Sequence, residues 1–102
     1  MKVVIYCASW EKGEAKFDEI AENLKNREGA KIVKRKRGSF AMLPDGSSWE
    51  VVYAYDNARG CKWNYCYVDD EISLRVFYDV IRYSKISNAF DLEPWQEGVS
   101  LY

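Results

Sequence analysis

The first strand-like run constrains the rest of the chain. Lys2–Cys7 reads K-V-V-I-Y-C, an apolar stretch rich in β-branched residues and free of polar alternation. Such a run fits a strand buried on both faces, in the middle of a sheet. A central strand needs partners on both edges and cover on both faces. Ala8-Ser9 turns the chain, and Ser9 is placed to cap a helix. Over Trp10–Glu28 the apolar positions Ala15, Phe17, Ile20, Ala21 and Leu24 follow helical spacing, with Arg27 in the last turn and Gly29 as the closing residue. Strand, helix and the next strand then predict a crossover unit and a parallel pair.

That next strand is expected at Lys31–Lys36, whose start is apolar and whose end is basic. Phe40–Leu43 and Trp49–Tyr55 read as a hairpin around Pro44-Asp45-Gly46-Ser47, with Pro and Gly where a type I turn wants them. Asn64–Val68 is a further buried strand, and Ile72, Val76, Phe77, Val80 and Ile81 mark a second helix over Ser73–Ser84, with Ser73 as its cap. The expected fold is a small single α/β domain of two or three layers, over residues 1–86. Its partly parallel core is Lys2–Cys7, Lys31–Lys36 and Asn64–Val68, with the hairpin and two covering helices. Residues 87–102 hold Asp91, Glu93 and Glu97 but also Phe90, Leu92, Trp95, Val99, Leu101 and Tyr102. A tail this apolar is expected to dock on the domain or on a partner.

With 102 residues there is room for one modest core. Fifteen basic against sixteen acidic residues leave a net charge of −1, so attraction to nucleic acid or membrane would have to come from local clusters. No apolar run reaches the roughly 20 residues that span a bilayer, and Met1–Tyr6 reads as a strand rather than a signal peptide. The odd set Cys7, Cys61 and Cys66 then fits free thiols in a reducing cytoplasm. There is no histidine. A zinc site and histidine-activated nucleophiles are therefore disfavoured.

The order of parts resembles one half of a P-loop ATPase core of the phage large-terminase and helicase type, over about residues 2 to 83. The similarity rests on Val3-Val4-Ile5-Tyr6-Cys7-Ala8-Ser9, on Asp45-Gly46-Ser47, on Arg59-Gly60, and on Tyr65-Cys66-Tyr67-Val68-Asp69-Asp70-Glu71, which is similar to a Walker B strand and its acids. The resemblance implies a magnesium-holding aspartate and a water-polarising acid at Asp69 and Asp70, or one residue later at Asp70 and Glu71. No glycine in this chain is followed by lysine, so the phosphate-cradling loop is missing. What is implied is a truncated, phage-encoded relative that is no ATPase by itself.

Two clusters stand out. Asp69, Asp70 and Glu71 could hold Mg²⁺ through oxygen ligands, or simply sit in the turn before a helix, where negative charge is favourable. Asp45, Glu50 and Asp56 have no spacing that brings them to the same place. Lys31, Lys34, Arg35, Lys36 and Arg37, with Phe40 and Trp49 close in sequence and Arg59 beyond, suit single-stranded nucleic acid or an acidic protein. They equally suit an edge strand guarded against aggregation. Aromatic residues make up 16%, more than a core of this size absorbs, which points to a protein-binding face or a homodimer. Three functions are carried forward. The first is a non-catalytic phage or mobile-element protein that occupies a protein partner, for example as an inhibitor of a host defence complex. The second is nucleic-acid binding through residues 31–37. The third is a Mg²⁺-dependent phosphohydrolase or nuclease.

Overall fold

A computed structural model describes residues 1–55, 61–86 and 98–102. The elements are β1 (Lys2–Cys7), α1 (Trp10–Leu24), β2 (Lys31–Val33), β3 (Phe40–Met42), β4 (Ser48–Tyr53), β5 (Tyr65–Val68), α2 (Leu74–Val76) and β6 (Val99–Leu101). α2 runs on as a π-turn, Phe77–Ile81, and a 3₁₀ turn, Arg82–Ser84. The whole is called the α2 segment below. One mixed sheet has the order β2-β3-β4-β1-β5-β6. β1 pairs in parallel with β4 and β5, and β5 in parallel with β6, while β3 lies antiparallel between β2 and β4. The chain is thus an α/β domain with a mostly parallel six-stranded sheet. Among the described residues, no helix is long and apolar enough to cross a membrane.

β1 is the central strand its composition demands, with Val3 through Cys7 all at most 2% exposed. Each apolar side chain fully removed from water there contributes about 1.5–3 kcal/mol. Its alternate residues face two cores. Ile5 and Cys7 pack with Phe17 and Leu24 of α1, Ala41 and Val51. Val4 and Tyr6 pack with Val52, Trp63, Cys66, Ile72 and Ile81 beneath the α2 segment. The helices therefore cover opposite faces of the sheet.

Three expectations change. Lys31–Lys36 is not a parallel core strand. Only Lys31–Val33 is extended, antiparallel to β3 at the sheet edge. Four consecutive cations cannot be desolvated in a sheet centre, so the strand stops before Lys34, and β4 takes the place beside β1. α1 ends at Leu24 rather than Glu28. Leu24 is its last buried side chain, and the polar residues beyond have no packing to reinforce helical hydrogen bonds. The stripe along α1 keeps Phe17, Ile20, Ala21 and Leu24 on the core side but differs at its start. Gly13 and Glu14 face inward, whereas Ala15 is exposed. Of residues 87–102, only 98–102 are described, and β6 among them is a sheet strand.

The caps are where the sequence puts them. Ser9 Oγ accepts from the Lys12 N–H at 3.4 Å, and Ser73 Oγ from the Val76 N–H at 3.2 Å. The 43–46 turn closes through Gly46 N–H to Leu43 O at 3.1 Å, with Gly46 at φ +93°.

Candidate functional site

The chain leaves β1 toward α1 on one face and leaves β5 toward the α2 segment on the other. The carboxyl ends of these two adjacent strands therefore form the switch point where open α/β sheets bind ligands. Asp69, directly after β5, occupies it and is fully buried. Its Oδ2 accepts the Ala8 N–H at 2.9 Å; its Oδ1 accepts the Lys12 ammonium at 2.8 Å and the Glu71 N–H at 2.9 Å. Lys12 lies in the first turn of α1 and also donates to Asp70 Oδ1 at 2.7 Å. Tyr102, after β6, closes the far side. Its phenol donates to Tyr6 O at 2.8 Å, its carbonyl accepts the Asp70 N–H at 2.8 Å, and its ring lies 5.5 Å from the Lys12 ammonium.

The electrostatics follow from this packing. Burial pushes the Asp69 carboxyl upward, but the Lys12 ammonium and the two N–H donors outweigh it and hold the group below the ordinary carboxylate range. Hydrogen bonds to Asp69 and then to Asp70 raise Lys12 above the ordinary lysine range. The crevice is thus filled by an internal ion pair. The Lys12 ammonium bridges Asp69 and Asp70, where the sequence suggests a cation between carboxylates. Glu71 is exposed, and its described contact is through its N–H. Among the described residues, no group of three or more His, Cys, Asp or Glu converges. The thiols do not form a reactive centre either. Burial pushes Cys7 and Cys66 up to about 12 and raises Cys61 as well, so all three are protonated at neutral pH.

The basic residues divide. Lys34 turns back onto α1, with its ammonium 3.0 Å from Asp18 and 3.7 Å from buried Glu14. Glu14 Oε1 also accepts the Ser39 N–H at 2.9 Å, while Ser39 Oγ accepts the Arg35 N–H at 2.8 Å and donates to Arg35 O at 3.0 Å. These bonds fix the loop from Lys34 to Ser39. Lys31, Arg35, Lys36 and Arg37 project from this edge as exposed cations with no ion pair among the described residues. The Arg35 guanidinium lies 5.1 Å over the Phe40 ring. Trp49 is not beside them. It pairs with Ala41 and packs on the α1 face, whereas Phe40 pairs with Glu50 and points to the other face. Arg59 and Asp56 lie outside the described residues.

A further surface is legible only in the structure. Along the outside of the α2 segment, Leu74 is 73% exposed, Tyr78 39% and Tyr83 67%. Leu74, Tyr78 and Arg82 follow at four-residue intervals. Arg82 Nε donates to Tyr78 O at 2.7 Å and Nη2 to the Tyr83 phenol at 2.9 Å. The guanidinium also lies 5.3 Å and 4.7 Å from the two rings. Between this face and the end of β6 opens a cavity of about 300 Å³, with Ile72, Leu74, Phe77, Tyr78, Val99 and Leu101 in its wall. Tyr78 and Tyr83 belong to the aromatic surplus of the composition, but nothing in the sequence marks the arginine that joins them. Lys12 was missed as well. A signal for it existed, since a lysine in the first turn after a βα junction is within reach of an acid at the next strand's end. No family model, curated protein or solved structure matches the chain.

Proposed function

We propose that the chain is a non-catalytic binding protein that acts by occupying a protein partner through the outer face of the α2 segment. The observation that carries this is the face formed by exposed Leu74, Tyr78 and Tyr83 around half-buried Arg82, set beside a switch point that its own Lys12–Asp69 pair already fills. Tyr and Arg dominate the energetic centres of protein interfaces, and here the guanidinium holds both rings in place before any partner arrives, which lowers the ordering cost of binding. In a phage or mobile-element protein, such occupation would inhibit a host enzyme or defence complex. The test compares capture from host lysate by the wild-type chain and by Tyr83→Ala and Leu74→Asp variants with unchanged melting temperature. The expected result is a stoichiometric partner held by wild type and bound at least about thirtyfold more weakly by the variants. Equal capture by all three, or no stoichiometric partner at all, overturns the reading.

A second reading is favoured by the basic loop. Arg35, Lys36 and Arg37 are displayed on a loop whose backbone is pinned to Glu14 and Ser39, which suits a phosphate backbone. Fluorescence anisotropy with labelled single- and double-stranded oligonucleotides at about 50 and about 200 mM salt separates the readings. Salt-sensitive binding abolished in the Arg35, Lys36 and Arg37 triple-alanine variant supports nucleic acid. Absence of binding at the lower salt removes it. Lys34 is left intact because its loss would release the loop.

A further inference from the structure

The two edges of the sheet are built differently. At β2 the exposed edge is lined by Lys31, with Lys34 directly after the strand. Charged edges of this kind resist pairing with another chain. β6, the opposite edge among the described residues, reads Val99-Ser100-Leu101 and carries no charge, and Leu101 is 71% exposed. Toward β5, its neighbours in the chain are the ones that bond: Gly98 O accepts the Cys66 N–H at 2.7 Å, and the Tyr102 N–H donates to Val68 O at 3.0 Å. By strand alternation Ser100 also faces β5, and the N–H and C=O groups of Val99 and Leu101 are directed outward.

We infer that β6 is a self-association edge, at which a second copy of this chain adds its own β6 in antiparallel fashion about a two-fold axis at Ser100. Three features select a second copy as the occupant. The short strand has a palindromic pattern, apolar-Ser-apolar. An axis at Ser100 sets Ser100 opposite its equivalent and each Val99 opposite the other copy's Leu101. Those two pairs are the outward-directed ones, so they can exchange about four backbone hydrogen bonds, and their side chains all lie on the cavity side of the sheet. Antiparallel addition also brings the carboxyl end of one sheet beside the amino end of the other. Among the described residues, the carboxyl end bears exposed Glu71 and the Lys12-bridged Asp70, and the amino end bears Lys62 and Lys85, an arrangement that favours this orientation. The contact is isologous and closes at two copies. It leaves two α2-segment faces on one side of a continuous sheet.

Sedimentation equilibrium of the full chain from roughly 10 to 500 µM tests this by mass action. Wild type is expected to move from monomer to dimer mass across that range, and Leu101→Lys, which charges the edge as β2 is charged, to remain monomeric with an unchanged melting temperature in dilute solution. Amide exchange provides a second measurement on the unaltered chain. The Val99 and Leu101 amides should gain protection as concentration rises, while that of Ser100, already bonded to β5, stays constant. A wild-type chain that is monomeric throughout, or amides at 99 and 101 whose protection ignores concentration, overturns the inference and leaves β6 to a foreign strand. Tyr83→Ala should dimerise like wild type, so failure of the partner-binding face and failure of this edge are read separately.

Discussion

At Asp69 a carboxylate is withdrawn from water and remains charged, because two backbone N–H donors and one ammonium replace its hydration. A group of this kind makes stability depend on pH with a definite sign. Its folded value lies below the ordinary one, so its contribution is present above the unfolded carboxylate range, about 3.9, and is lost as pH falls through the folded value. Lys12, raised on folding, keeps its share up to the ordinary lysine range and loses it only as pH rises through the higher folded value. Asp69→Asn should therefore cost about 2–4 kcal/mol at pH 7, where it removes one partner of a buried pair. Urea melts should show the gap to wild type constant from about pH 6 to 9 and narrowing below about pH 4. A gap as wide at pH 3 as at pH 7 would show that the carboxylate's charge is not what the fold uses.

Among the elements, α1 shows how close packing overrides local preference. Gly13 ends the first turn of α1, inside the helix, where alanine is normally better by about 1 kcal/mol. A Cβ there would lie 2.6 Å from Cys7 Cβ, 2.7 Å from Cys7 Sγ and 2.9 Å from Val51 Cγ1. The helix rests directly on β1 and β4 only because that atom is missing. Gly13→Ala is expected to lower stability by about 1–3 kcal/mol through overpacking, measured by chemical denaturation. A gain near the propensity value would mean that α1 can lift from the sheet without penalty. The same position explains why the start of the helical stripe is not legible in the sequence. Gly13 and Glu14 carry no hydrophobic signal, yet one permits contact and the other is buried to hold the Lys34–Ser39 loop. Periodicity placed the helix and could not register contacts made by a missing side chain or a paired acid.

In the molecule as a whole, pairing partners matter more than element identities. Five β-favouring runs were expected as strands, and each contains one. Which of them flanks β1 was not legible, because a run of apolar residues reports burial and not its neighbour. The six positive charges available between Lys31 and Arg59 likewise read as one patch. Folding splits those described into a latch, Lys34, and an exposed set on a fixed loop, while Phe40 and Trp49 go to opposite faces by strand alternation.

By itself the sequence determined the α/β class, the central place of Lys2–Cys7, the Ser9 and Ser73 caps and the 43–46 turn. All of these are set by interactions within a few residues or by burial, and side-chain chemistry encodes both directly. Only the tertiary structure decided that Asp69 is closed by Lys12, that β4 and not the basic segment lies beside β1, and that Leu74, Tyr78, Arg82 and Tyr83 share an exposed face. These depend on groups brought together from 57 residues apart in the case of Lys12 and Asp69, and on desolvation costs that arise only when the sheet has formed.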